Sequence, residues 1–164
     1  MIVLGVDPGT ALLGYGIIED GDRPTLHAFG ALATESTAAM PARLSYLFDA
    51  VTGLIQDHRP DVLAIEQLFF ARNVTTAIAV GQARGVVLLA AARSGVSVAE
   101  YSPSEVKHAI AGYGKAGKRQ MQEMVRIILG LDDVPRPDDA ADALAIALCH
   151  AQTAPFLART GQSP

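Results

Sequence analysis

The apolar positions of this chain fall into short runs and helical stripes that divide it into ten segments. Ile2–Val6 is apolar, largely β-branched, and ends at Asp7-Pro8-Gly9, which predicts a strand running into a turn. Gly14–Glu19 and Thr25–Thr34 predict two further strands around Asp20-Gly21-Asp22, so the first three form an antiparallel meander. In Pro41–His58 the residues Leu44, Leu47, Phe48, Val51, Leu54 and Ile55 recur at spacings of three and four, the mark of a helix buried on one side, and Pro60 stops it. Asp61–Glu66 carries the run Val62-Leu63-Ala64-Ile65, which suits a parallel strand covered on both faces. Asn73–Ser94 is apolar nearly all round and predicts a helix buried on more than one side.

Val96–Tyr101 predicts the next strand. Ser102-Pro103-Ser104-Glu105 then supplies an N-cap, a proline at the first helical position and an acid at the third, opening a short helix to about Ile110. Gly112–Gly117 is a glycine-rich loop carrying Lys115, Lys118–Leu129 a helix, and Asp139–Gln152 a last helix beyond Pro135 and Pro137. A right-handed crossover sets the fourth strand parallel to the first. The sum is an α/β fold, with about five strands in one mixed sheet flanked by helices.

Length and composition sharpen this. At about 150 residues per domain, 164 residues predict one domain, placed at 1–154 with a frayed tail at 155–164. A charged fraction of 18% against 50% hydrophobic residues excludes a disordered chain. Cys149, the one cysteine, excludes an internal disulfide or a Cys-rich zinc site and reads as a small buried hydrophobe. No stretch reads as an export signal or membrane span, which predicts a cytoplasmic protein with no membrane partner. His27, His58, His108 and His150 show no ligand spacing and predict surface or helix-end roles.

The carboxylates carry the candidate chemistry. Asp7 ends the first strand and Glu66 the fourth; if these strands are parallel neighbours, both acids emerge at one sheet edge, where α/β sites form. Asp139 and Asp142 are three apart and share a helix face. Asp142 interrupts the core-like run Ala140–Leu148, where a lone carboxylate is costly unless paired or metal-bound. Each acid has a plainer reading: a turn residue for Asp7, a solvent-facing strand end for Glu66, an N-cap for Asp138 or Asp139. Capping does not account for Asp142. Four acids converging on oxygen-only ligation suit Mg²⁺ or Mn²⁺, and two-metal acidic sites run in-line phosphoryl displacement.

Gly5-Val6-Asp7-Pro8-Gly9-Thr10, Gly14-Tyr15-Gly16, Ala64-Ile65-Glu66-Gln67, Gly81-Gln82-Ala83-Arg84-Gly85 and Asp139-Ala140-Ala141-Asp142-Ala143-Leu144-Ala145, in that order, resemble the RuvC family of bacterial Holliday-junction resolvases. The likeness runs from about Ile2 to His150. It implies an RNase H-like fold, a homodimer, and Mg²⁺-dependent paired nicking of four-way DNA junctions in recombination and repair. Two Mg²⁺ per site, replaceable by Mn²⁺, and RuvA and RuvB as branch-migration partners are implied with it. By motif, Asp7, Glu66, Asp139 and Asp142 match the catalytic, metal-binding tetrad; Asp138 lies four residues from Asp142 and competes with Asp139 for its place. The basic C-terminal extension usual in the family is missing, residues 155–164 carrying only Arg159 as a base.

A formal net charge of −4 argues against a nucleic-acid partner until its distribution is read. Tyr101–Gly130 holds Lys107, Lys115, Lys118, Arg119 and Arg126 against Glu105 and Glu123, a local excess of positive charge. The resemblance makes Lys107 and Lys118 DNA-binding, with Arg119 and Lys115 as weaker candidates; solvated helix lysines are the plain alternative. It makes Phe69 of Phe69-Phe70 an exposed aromatic that stacks on bases, against ordinary core packing. Gly81 and Gly85, four apart on an apolar helix, suggest close approach of a second helix in the dimer. Three rivals are an actin-like kinase or ATPase module, a non-catalytic DNA scaffold, and a nuclease of the same fold acting on RNA–DNA hybrids. The first needs a second phosphate loop and domain, and the second a degraded tetrad.

Overall fold

The computed structural model describes residues 1–67 and 74–160. Its elements are β1 (Ile2–Asp7), β2 (Leu12–Glu19), β3 (Thr25–Ala33), α1 (Met40–His58), β4 (Val62–Glu66), α2 (Val74–Arg93), β5 (Ser97–Tyr101), α3 (Pro103–Ala111), α4 (Lys118–Leu129) and α5 (Asp138–Thr160). The strands form one sheet in the order β3-β2-β1-β4-β5. The meander is antiparallel, and β4 lies parallel to β1 on one side and to β5 on the other.

Period-two alternation sorts each strand between two cores. Leu4 and Val6 of β1, with Leu63 and Ile65 of β4, pack with Leu47, Val51 and Ile55 of α1 and Ala83, Val87 and Ala90 of α2. Val3, Val62 and Ala64 face the other way, onto Leu144, Ala145 and Leu148 of α5 and onto α3 and α4. The same parity sends Asp7 and Glu66 to the α5 side. Pairing of Val6 with Ile65 brings these two acids level at the ends of adjacent strands.

Helix α5 lies unusually close to the sheet because glycine faces it. A Cβ on Gly5 would strike the Ala143 carbonyl and the backbone of Ala147; one on Gly14 would strike the Asp139 carbonyl; one on Gly16 would meet Leu144. Alanine fills much of the opposing face, with Ala140, Ala143 and Ala147 fully buried. The capping box at α3 forms in both directions, the Ser102 hydroxyl accepting from Glu105 N–H at 3.2 Å and the Glu105 carboxylate from Ser102 N–H at 2.7 Å.

Three expectations are corrected. β2 begins at Leu12 rather than Gly14, because its first residues pair with Leu32 and Ala33 of β3. Helix α5 starts at Asp138 and runs through Pro155 to Thr160 instead of ending at Gln152. Once nucleated on a buried face, a helix extends at one bond per residue, and Pro155 does not end it here. His150 is neither at the surface nor at a helix end. It is buried, its Nδ1 2.8 Å from the Tyr101 hydroxyl, which also receives a bond from the Thr153 hydroxyl at 3.1 Å. Cys149 is buried as expected. Among the described residues no helix is long and apolar enough to cross a membrane.

The glycine contacts give a stability test. Gly5→Ala forces α5 off the sheet and should cost about 2 kcal/mol or more, lowering Tm by at least about 4 °C in thermal unfolding. Gly53→Ala, at a helical position where a Cβ meets nothing within 4 Å, should hold or raise Tm.

Candidate active site

The two strand-end acids and α5 meet over one cavity of about 270 Å³. Asp7, Glu66 and Asp142 line it together with Lys107 from α3 and Lys118, the first residue of α4. This is the C-terminal edge of the parallel strands, where the backbone stops and side chains from adjacent elements converge. Asp139 sits one turn before Asp142 on α5 and does not line the cavity, yet its charge reaches Asp7.

The electrostatics are those of acids without enough counter-charge. Burial pushes the Asp7 carboxyl up to about 7, and the charges of Asp142, Glu66 and Asp139 push it the same way against the pull of Lys118. Burial, then Asp142, raises the Glu66 carboxyl, with Lys107 opposing. Asp142 is raised by burial too, and Lys118 at 3.5 Å holds it back. A divalent cation supplies the missing charge, and the donors are hard oxygens that suit Mg²⁺ or Mn²⁺ better than softer metals. The residues therefore fit such an ion in chemistry. Among the described residues no three acidic, imidazole or thiol groups close around a single point.

Asp138 behaves differently. Its Oδ1 accepts from Gln122 Nε2 at 3.0 Å and Arg136 Nη1 at 2.8 Å, and its Oδ2 lies 3.2 Å from Lys118 Nζ. The hydrogen bond from Lys118 is the main cause holding its carboxyl below the usual range, opposite to Asp7 and Asp142. It is already partnered by cations and does not line the cavity.

Of the basic candidates, Lys107 and Lys118 reach the cavity, whereas Arg119 and Lys115 are exposed and do not line it. Phe69 and Phe70 lie outside the described residues. Sequence reading missed Arg84 as a contributor. Its Nη1 donates to the Glu66 carbonyl at 2.7 Å and its Nη2 pairs with Glu100 at 2.6 Å, clamping the end of β4 against α2. The available signal was a charge set in the most apolar helix of the chain.

Asp7 links the site to stability. Its folded pKa lies above the ordinary value of 3.8, so the folded state holds the proton more tightly than the unfolded chain. Stability is therefore lost as pH rises from about 4 to about 7, and the loss is complete above that range. In metal-free buffer, Asp7→Asn should match the parent in Tm near about pH 4.5 and exceed it by roughly 5 °C near about pH 8. A difference that does not change with pH would show that Asp7 ionises normally.

Comparison with known proteins agrees with this geometry. The family described as crossover junction endodeoxyribonuclease RuvC matches residues 3–150. The crossover junction endodeoxyribonuclease RuvC of Chloroflexus aggregans is 57% identical over 164 residues, covering 99% of this chain and 100% of that protein. The structure of Thermus thermophilus RuvC superposes with a TM-score of 0.88 at 40% identity, covering 99% of this chain and 98% of that one. T. thermophilus RuvC in complex with a Holliday junction substrate gives a TM-score of 0.91 at 40% identity over 95% of this chain and 96% of the other. The five-stranded mixed sheet is thus the RNase H-like fold, and the chain belongs to the RuvC family of crossover junction endodeoxyribonucleases.

Proposed function

We propose that this chain is an endonuclease that resolves four-way DNA junctions by paired, symmetric hydrolysis of phosphodiester bonds, in recombination and repair. The observation that carries the reading is the convergence of Asp7, Glu66 and Asp142 with Lys107 and Lys118 on one cavity. The T. thermophilus RuvC solved with a Holliday junction substrate supports the choice of DNA structure.

Asp7, Glu66, Asp139 and Asp142 would hold the metal, as two Mg²⁺ per site with Mn²⁺ as a substitute. When bound, such a pair activates water and neutralises charge on the phosphate for in-line displacement. The chain's own residues do the rest. Asp7 must be ionised to ligate, which its raised pKa makes a function of both pH and cation. Lys107 and Lys118 flank the cavity and face the phosphate, where ammonium groups offset charge on the non-bridging oxygens. Arg84 keeps the end of β4 fixed so that Glu66 starts from one position. Phe69 follows Glu66 closely in sequence and is the proposed base-stacking side chain, and exposed Arg119 adds a backbone contact beyond the cavity.

The site needs a partner copy to cut two strands. Ile78, Gln82, Gly85 and Leu89 form an exposed stripe on α2 at spacings of four, three and four, and a Cβ on Gly85 meets nothing within 4 Å. Ile78 and Leu89 are 59% and 52% exposed, far more than apolar helix residues need be. A stripe of that period with a small residue at its centre supports a helix-to-helix seam in a two-fold homodimer. Action beside RuvA and RuvB in the cytoplasm belongs to the same reading and rests on family membership alone.

The test sets a synthetic four-way junction beside a linear duplex and an RNA–DNA hybrid, with and without Mg²⁺. The parent, sedimenting as two chains, should cut the junction alone, symmetrically and only with the cation. Asp7→Asn should bind the junction within about twofold of the parent and cut it at least about a hundredfold more slowly. Hybrid cleavage at a comparable rate, or substantial cutting by Asp7→Asn, would overturn the proposal.

A further inference from the structure

We infer that Asp138 is a positioning residue that holds Lys118 at the mouth of the cavity and is not one of the metal ligands. The inference rests on the reading that Lys118 meets the phosphate. Lys118 is the first residue of α4, and Gly117 before it offers no side-chain cap. A lysine is poorly placed there, because the amino end of a helix already carries partial positive charge. It is also 56% exposed, so an unheld four-carbon stem would sample solvent and lose that freedom on meeting a phosphate.

Asp138 answers both problems. It opens α5, where an acid complements the helix dipole, and its Oδ2 lies 3.2 Å from Lys118 Nζ. The carboxylate is itself aimed from behind. Gln122, a buried residue of α4, donates to Oδ1 at 3.0 Å, and Arg136 donates to the same oxygen at 2.8 Å. Lys118 then spans from Asp138 to Asp142, 3.5 Å away, which places one cation between a fixed acid and a cavity acid. Were Asp142 to hold a cation, the Asp138 contact is the one that would keep the Lys118 ammonium at the cavity.

The division between neighbours follows. The charge of Asp139, one residue on, bears on Asp7, whereas both oxygens of Asp138 are taken by Gln122, Arg136 and Lys118. The two acids that compete for one motif position in the sequence therefore do separate work. A purely structural tie between α4 and α5 would move stability but not distinguish Lys118 from any other partner.

The experiment is a double-mutant cycle in the 164-residue chain, using Asp138→Asn, Lys118→Met and their combination, with Mn²⁺ calorimetry on each and Tm as the folding control. Asp138→Asn keeps an acceptor for Gln122 and should fold. It should lower kcat on the junction about tenfold, leave KM and Mn²⁺ affinity within about twofold, and add nothing to the loss in Lys118→Met. A fall of about tenfold or more in Mn²⁺ affinity would make Asp138 a ligand and overturn the inference. Losses that multiply in the double variant, or an unchanged kcat in Asp138→Asn, would overturn it while leaving the reading of Lys118 intact. Full activity in Lys118→Met would overturn that reading and the inference together.

Discussion

The close seat of α5 on β1 and β2 is the contact on which the rest depends. Gly5, Gly14 and Gly16 present bare backbone to a helix whose facing residues are largely alanine. At that distance the first turns of α5 hang Asp139 and Asp142 beside the strand end that carries Asp7. Side chains of ordinary size between helix and sheet would push the helix out to the usual packing separation, about 10 Å, and carry its carboxylates away from the strand ends. Small residues here are a requirement of the site as much as of the core.

That geometry sets up an electrostatic conflict. Burial and like charge both oppose ionisation of Asp7, Glu66 and Asp142, and Lys118 at Asp7 and Asp142 and Lys107 at Glu66 offset only part of it. The site as folded carries uncompensated negative charge, which a divalent cation would offset. The net charge of −4 belongs to the same account, because several of the acids face a site that a bound cation would neutralise, while all three lysines, with Arg119 and Arg126, lie on α3, the following loop and α4.

Much of this was legible in the residues. Their places at the ends of the first and fourth strands put Asp7 and Glu66 at one sheet edge, and the break in an otherwise apolar run marked Asp142 as needing a partner. The order of motifs then chose among chemistries that spacing left open. What escaped were features set by tertiary contact. His150 looked like a helix-end histidine, yet a partner on β5, Tyr101, 49 positions away, satisfies it in the core. The last helix read as ending at Gln152 with a frayed tail from Pro155, yet α5 continues to Thr160. The clamp from Arg84 to the Glu66 carbonyl joins residues 18 apart through backbone, which no side-chain pattern encodes. The spacing to Asp142 chose Asp139 over its neighbour Asp138, but the partners of Asp138, Lys118, Gln122 and Arg136, come from tertiary structure.

The measurement that bears most directly on the seat of α5 is Mn²⁺ binding to Gly14→Ala by calorimetry, below the melting temperature and with helix content checked by circular dichroism. A Cβ there strikes the backbone of Asp139 and Ala140 in the first turn of α5. If close packing builds the site, Mn²⁺ affinity should fall about tenfold or more while the fold persists. Parent-like affinity in a folded Gly14→Ala protein would contradict the account.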